Sequence, residues 1–246
     1  MSESVSGLEQ LDQGELVRFV VDVFRRTMLH YGFWFNEVRH QLGMKEALQT
    51  EEEVSAVVFP IIIKRLSKTL GFEIKDGLPL SLVNMPKEQL LGLIDAMSAN
   101  WLANDGVWFQ TVENRQEMYT SKRVNDTCWT RYSPMEASMI KSFLDIPEQG
   151  GLEGLEKALN YRLYARINRQ TSEMQGDDLV FRMITCRVQV ARHRKGLEDY
   201  PCKSAGLVEY GTFAQTIDSR IKTECLACPP DEHPGEWTCA WRFYLA

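Results

Sequence analysis

Thiol side chains are concentrated near one end of this chain. One of its six cysteines, Cys128, lies in the first 185 residues, and the other five lie in the last quarter: Cys186, Cys202, Cys225, Cys228 and Cys239. Neighbouring thiols can bind a metal ion, supply a nucleophile or form disulfides. The spacing and surroundings of these five residues therefore decide what chemistry the sequence predicts.

One pair of cysteines has metal-binding spacing. Cys225-Leu226-Ala227-Cys228 is a C-x-x-C loop followed by two prolines. Such a loop lets two sulfurs bind one ion, and two further thiols complete a tetrahedron at about 2.3 Å from zinc. We predict a site for zinc, ahead of an iron–sulfur cluster, with Cys186 or His233 as a substitute ligand and a main set of Cys202, Cys225, Cys228 and Cys239.

Two other interpretations of the thiols stay open at the level of sequence. Buried cysteines behave as small hydrophobic residues, and in that case the chain holds no metal. Alternatively, one thiol is a nucleophile whose pKa is lowered by nearby cationic groups, for which the sequence offers Arg192, His193 and Arg194.

Composition narrows the class of protein. Apolar residues make up 44%, charged residues 25%, and the net charge is -6, which are ordinary values for a globular protein and argue against a nucleic-acid partner. The acidic N-terminus is unlike a signal peptide, and the longest apolar run is too short to cross a membrane. We therefore predict a cytoplasmic protein with no membrane partner, whose thiols are reduced or metal-bound.

The last hundred residues predict a small sheet with helices. Apolar and polar side chains alternate over 180–190, 219–226 and 237–245, as in strands, and helices are expected over 152–160 and 205–217. The predicted fold class is α+β, with a mostly antiparallel sheet covered by helices on one side. Three thiols fall on apolar strand faces, at Cys186, Cys225 and Cys239, and two fall in loops, at Cys202 and Cys228.

The first half of the chain predicts a duplicated helical unit. An offset of 74 residues superimposes the segments 15–72 and 89–146, including a shared G-x-W-F pattern, and 73–88 links them. We predict a helical domain over 1–150 made of these two copies, and a cysteine-rich α+β domain over 151–246. The pattern aromatics are expected in the core, namely Trp34, Phe35, Trp108 and Phe109.

Two prolines predict helix boundaries within these copies. Pro60 is expected to end the helix before it, and Ser133-Pro134-Met135-Glu136 has the sequence of a capping box at a helix start.

One charged residue, Asp105, lies on the apolar helical stripes of the two copies. A buried carboxylate needs hydrogen bonds or an opposite charge, which the first copy offers at Thr27, Tyr31 and Arg39. The alternative is that Asp105 lines a ligand pocket together with Trp108 and Glu113.

Two sets of residues resemble an uncharacterised prokaryotic family of cytosolic proteins of unknown function. The first is Asn104-Asp105-Gly106-Val107-Trp108-Phe109, and the second runs from Cys186-Arg187-Val188-Gln189 through Pro201-Cys202-Lys203, Glu209-Tyr210 and Cys228-Pro229-Pro230-Asp231 to Cys239-Ala240-Trp241. A further resemblance, to aminothiazoline-carboxylate hydrolase-like proteins, is carried by Cys186, Cys202 and Cys239. That resemblance implies hydrolysis of a small sulfur-containing ring or amide.

The sequence thus predicts a cysteine-lined site that binds a metal or a small ligand, with small-molecule hydrolysis among the reactions that such a site supports. The alternative is a non-catalytic ligand-binding or sensing module whose cysteines are structural. Metal analysis of the purified protein separates these hypotheses most directly.

Overall fold

A computed structural model describes residues 7–246. The described chain forms two compact units, the first ending at Ile62 and the second running from Ile63 to Ala246. A short 3-10 helix, Gly7–Gln10, precedes α1 (Gln13–Leu42) and α2 (Met44–Leu70). No helix among the described residues has the length and apolar character needed to span a membrane.

The N-terminus of α1 is closed by a capping box. The Asp12 carboxylate accepts from the backbone N–H of Glu15 at 2.8 Å, and the Glu15 carboxylate accepts from the Asp12 N–H at 2.9 Å. These two bonds satisfy donors that the first helical turn leaves without partners. Gly43, with φ of 93°, separates α1 from α2.

The second unit holds the remaining helices and all the strands of the described chain. In order, they are β1 (Ile74–Lys75), β2 (Leu78–Pro79), α3 (Leu80–Val83), α4 (Lys87–Arg115), α5 (Met118–Phe143), α6 (Gly151–Leu159), α7 (Leu163–Ile167), β3 (Arg169–Gln175), β4 (Asp178–Thr185), α8 (Arg187–His193), α9 (Lys203–Ile217), β5 (Ile221–Ala227) and β6 (Cys239–Leu245). The segment predicted as a linker, 73–88, contains the β1–β2 hairpin and α3. Helices α4 and α5 begin 74 residues after α1 and α2, which is the offset of the sequence match.

The main sheet is antiparallel, with strand order β3-β4-β6-β5. Its core side packs against α5, α6 and α9, and the largest fully buried side chains include Phe181, Phe213, Trp241 and Phe243. The predicted α+β class is confirmed. The alternation over 237–245 also identified the core face of β6 correctly, because Cys239, Trp241 and Phe243 all lie in the core.

The predicted strand over 180–190 is wrong in its extent and in its inward face. β4 ends at Thr185, and α8 begins at Arg187. The core residues of β4 are Leu179, Phe181 and Met183, rather than the even-numbered positions. β4 lies inside the sheet between β3 and β6, and Val180 on its other face is buried too. Because both faces of β4 carry apolar residues, the alternation of the sequence could not show which face points to the core.

Both predicted proline boundaries are wrong. Pro60 lies inside α2, and Pro134 lies inside α5. A proline removes one helical hydrogen bond and costs about 3 kcal/mol, which other contacts along a helix can offset. The residues around Pro134 have tertiary partners: the Ser133 hydroxyl donates to the Glu209 carbonyl at 2.6 Å, and Glu136 pairs with Arg162.

The expectation that the pattern tryptophans are core residues is also wrong. Trp34 is 63% exposed and Trp108 is 62% exposed. Phe35 and Phe109, the following residues, are half-buried. The repeated pattern therefore places one aromatic residue of each pair at the surface of its helix.

Candidate functional site

A cavity of about 530 Å³ lies within the second unit. Its wall is built from one face of α4, parts of α5 and α7, the segment from Cys186 to Cys202, the first turns of α9, and positions on β4 and β6. Four cysteines line it: Cys186, Cys202, Cys228 and Cys239. The volume is that of a small-molecule site.

Cys202 and Cys228 are in direct contact, with their sulfur atoms 3.5 Å apart. Cys202 is the residue from which α9 begins, and the Gln189 side-chain amide lies 3.6 Å from its sulfur. The hydrogen bond from the Cys228 thiol holds the pKa of Cys202 below its ordinary value, although burial opposes this lowering. The positive charge of Lys122 also lowers the pKa of Cys202. Cys202 is therefore the member of the pair that loses its proton more readily, and it lies at a helix N-terminus, which favours negative charge.

The same hydrogen bond raises the pKa of Cys228, with Cys239 and burial as further causes. Cys228 is thus the member of the pair that holds its proton more strongly, which makes its thiol the hydrogen-bond donor when Cys202 ionises. Its loop is held against α9, since the Lys203 N–H donates to the Pro229 carbonyl at 2.9 Å and the Lys203 ammonium pairs with Asp231 at 2.8 Å. These loop contacts hold the Cys228 sulfur at hydrogen-bonding distance from the Cys202 sulfur.

Gln189, on α8, holds the backbone just before Cys202. Its amide donates to the Tyr200 carbonyl at 2.8 Å, and its side-chain oxygen accepts from the Tyr200 N–H at 2.8 Å. The Tyr200 hydroxyl in turn accepts from Asn125 at 3.2 Å and Lys122 at 3.3 Å on α5. The Cys202 segment is therefore anchored to two helices.

A buried charge network borders the cavity. Arg162 is 2% exposed, its Nε donates to Glu136 at 2.8 Å, and its Nη1 lies 2.7 Å from a Glu209 oxygen. Aromatic rings surround its guanidinium, those of Trp129, Tyr164, Tyr210 and Phe213. One arginine faces two carboxylates here, and the second carboxylate has no full counter-charge.

Glu209 is the member of this network that lines the cavity. Burial raises its pKa to about 7, against the lowering effect of Arg162, and the negative charge of Glu136 adds to the rise. A carboxyl group with a pKa near neutrality can both give and take a proton at physiological pH. Its negative charge also raises the pKa of Cys202, and both groups line the cavity.

The structure brings together some of the predicted site residues and separates others. Asp105, Glu113, Cys186, Cys202, Cys228 and Cys239 line the cavity, whereas Trp108, Cys225 and His233 do not. Burial raises the pKa of Cys186 to about 12 and that of Cys225 to about 11. His233 stacks on Trp237 and lies 3.8 Å from Asp199.

Two of the three partners proposed for Asp105 have other acceptors. The Tyr31 hydroxyl donates to Glu51 at 2.9 Å, and the Thr27 hydroxyl donates to the Val23 carbonyl. Asp105 itself lies in the cavity wall, and burial raises its pKa.

Among residues 7–246, no group of three or more His, Cys, Asp or Glu side chains is placed to hold a metal ion. The zinc site stays a prediction, with Cys202, Cys228 and Cys239 as the part of its ligand set that lies in one cavity.

Sequence reasoning did not select Glu209, Arg162 or Gln189 as site residues. Glu209 and Gln189 do stand inside the motifs that carry the family resemblance. No sequence pattern around Arg162 marks it as a site residue, because its role depends on Glu136 and Glu209, which lie 26 and 47 positions away.

A family model matches residues 83–245, and its description is a family of unknown function, DUF6125. The match covers well over half of the chain, and the protein belongs to this family. It spans α4 through β6, and therefore every residue named above as lining the cavity. No curated protein and no solved structure matches the chain significantly.

Proposed function

We propose that this protein is a thiol-dependent enzyme that hydrolyses a small molecule bound in the cavity, with Cys202 as the nucleophile. The observation that carries the proposal is the Cys202 sulfur, in the cavity wall and 3.5 Å from the Cys228 thiol that donates to it. A cysteine held this way ionises more readily than a free thiol, and the thiolate is the reactive form of cysteine.

The chemistry follows from the groups around that sulfur. The Cys202 thiolate attacks an electrophilic carbon of an amide or a related C–N bond, and forms a thioester as the C–N bond breaks. Protonated Glu209, with its pKa near 7, supplies the proton that the departing nitrogen requires. Water then attacks the thioester, Glu209 takes up a proton from this water, and the thiolate is regenerated.

The test uses p-nitrophenyl acetate as a generic acyl donor. We expect a burst of nitrophenolate close to one equivalent per chain, with the acetyl group on the Cys202 peptide in mass spectra. Cys202→Ser should lose the burst. Cys225→Ser is the matched control, because Cys225 does not line the cavity, and it should keep the burst. Hydrolysis that is equal in all three proteins would refute the proposal.

A second candidate is a zinc ion bound by thiolates of the same cavity. The 3.5 Å between the Cys202 and Cys228 sulfurs is close to the separation of about 3.8 Å that two thiolates have on one tetrahedral zinc. Metal analysis of the purified protein decides this directly. One zinc per chain that is lost in Cys228→Ser but kept in Cys225→Ser would favour this candidate, and a metal-free protein with a reactive Cys202 would favour the enzyme.

A further inference from the structure

Asp105 is a carboxylate in the cavity wall with no counter-charge beside it. Among residues 7–246, no lysine, arginine or histidine forms an ion pair with Asp105. Burial raises its pKa, and no neighbouring cation or hydrogen bond lowers it. A partly buried carboxylate is costly in this state, and a cation on a bound ligand would relieve that cost.

Aromatic side chains line the same cavity as this carboxylate, among them Phe109, Tyr164 and Tyr200. Two of these rings already lie against cations of the chain itself: the Tyr164 ring against the Arg162 guanidinium at 5.3 Å, and the Tyr200 ring against the Lys122 ammonium at 4.4 Å. A ligand cation would therefore pair with the carboxylate of Asp105 rather than with these rings.

Positive groups are present as well, at the α8 side of the cavity. Arg187 and Lys195 are exposed, so that solvent screens their charges, and Arg192 already donates to the Glu198 carbonyl at 2.7 Å. The carboxylate of Glu209 faces Arg162, and Lys122 pairs with Asp126. Asp105 is thus a partly buried charge of the cavity that no cation among residues 7–246 offsets through an ion pair.

We propose that the molecule bound in this cavity is a small organic cation, whose protonated amine lies against the carboxylate of Asp105. This inference rests on the proposed function, because it assumes that the cavity is the ligand site. It adds the substrate class, which is an amine-bearing compound.

The test measures how fast Cys202 reacts with two thiol reagents that differ mainly in charge. Both are methanethiosulfonates, one ending in trimethylammonium and one in sulfonate. In each reaction the thiolate attacks the sulfenyl sulfur, a mixed disulfide forms, and methanesulfinate leaves. The rate constant is read from the Cys202 peptide by mass spectrometry, and the cation-to-anion ratio is divided by the ratio for a small free thiol.

We expect this normalised ratio to be on the order of a hundredfold or more in the native protein, because the two reagents differ by two unit charges and one carboxylate acts on each at roughly 10 Å and an effective dielectric near 20. Asp105→Asn should bring it close to one. Asp95→Asn is the matched control on the same helix, where Asp95 pairs with Arg166 outside the cavity, and it should keep the preference.

A native ratio of one or below overturns the inference without any variant, and so does an equal ratio in the two variants. Labelling of Cys202 without charge preference leaves the proposed function intact. If neither reagent labels Cys202 before unfolding, the proposed function falls. The thermal shift by benzylammonium, relative to uncharged benzyl alcohol, then decides the inference: a larger shift that Asp105→Asn removes supports it, and equal shifts refute it.

Discussion

Helices α2 and α5 occupy corresponding places in the two predicted copies, yet their burial differs sharply. In α2 the only buried residue is Ala47, whereas α5 buries seven residues, among them Trp129, Ala137 and Ile140. α5 packs along α9, which lies on the sheet. The comparison shows that the arrangement of the helices does not by itself bury a core. α5 buries residues because α9 gives it a surface to pack against.

The two regions also differ in their ion pairs. In α1, Asp22 pairs with Arg25 and Arg26, whose side chains are mostly exposed. In the second unit, Arg162 and its two glutamates are nearly inaccessible to solvent. Exposed pairs contribute little to stability, whereas a buried charge depends strongly on its partner.

The largest effect is expected from Arg162→Ala. It leaves Glu136 and Glu209 buried without their cation, and we expect the free energy of unfolding to fall by about 4–5 kcal/mol. Arg26→Ala in α1 is the control and should change it by less than about 1 kcal/mol. Urea denaturation measures both. Equal losses of unfolding free energy in the two variants would contradict the difference that we infer between buried and exposed ion pairs.

The next largest effect on the free energy of unfolding is expected when a buried tryptophan is replaced, in comparison with an exposed one. Trp129 is 4% exposed and Trp34 is 63% exposed. We expect Trp129→Ala to cost about 3–4 kcal/mol, from lost burial and the cavity left behind, and Trp34→Ala to stay within about 0.5 kcal/mol. A comparable loss in Trp34→Ala would indicate that α1 has a partner surface in solution.

A smaller effect depends on pH. Asp218 accepts from Arg220 and from the N–H of Gly151, and these bonds hold its pKa well below the usual range. Its stabilisation is therefore full above the unfolded pKa of about 3.9 and is lost as the pH falls towards the folded pKa. The Tm of the native protein should exceed that of Asp218→Asn by a few degrees at pH 7, and this difference should shrink below about pH 4.

Asp22→Asn serves as the control for that titration. Asp22 pairs with arginines on the surface of α1, and its replacement should change Tm little at either pH. A Tm difference for Asp218→Asn that grows with acidity would contradict the assignment.

The smallest expected effect concerns reactivity rather than stability. Cys228→Ala removes the donor to Cys202, so the pKa of Cys202 should rise and its labelling by iodoacetamide at pH 7 should slow several-fold. Thr27→Ala removes a hydroxyl from α1 and should leave this rate unchanged. An unchanged rate in Cys228→Ala would show that other groups set the Cys202 pKa.

Local sequence patterns predicted part of the fold correctly. Period-two alternation located β5 and β6, and the helix over 205–217 is α9 to within two residues. The pattern failed where its residues had distant partners, as with Ser133 and Glu136, whose side chains contact Glu209 and Arg162 instead of capping a helix.

The sequence by itself determined which residue types are available for chemistry: the late cysteines, with Cys202 ahead of a helix, and one carboxylate on an apolar stripe. Tertiary structure alone decided that Cys228, rather than Cys225, contacts Cys202, and that Asp105 of α4 shares a cavity with both. It also decided that Arg162 is buried between two carboxylates. The physical reason is that hydrogen bonding, desolvation and charge act through space, between residues 26 to 123 positions apart, where no local pattern reports them.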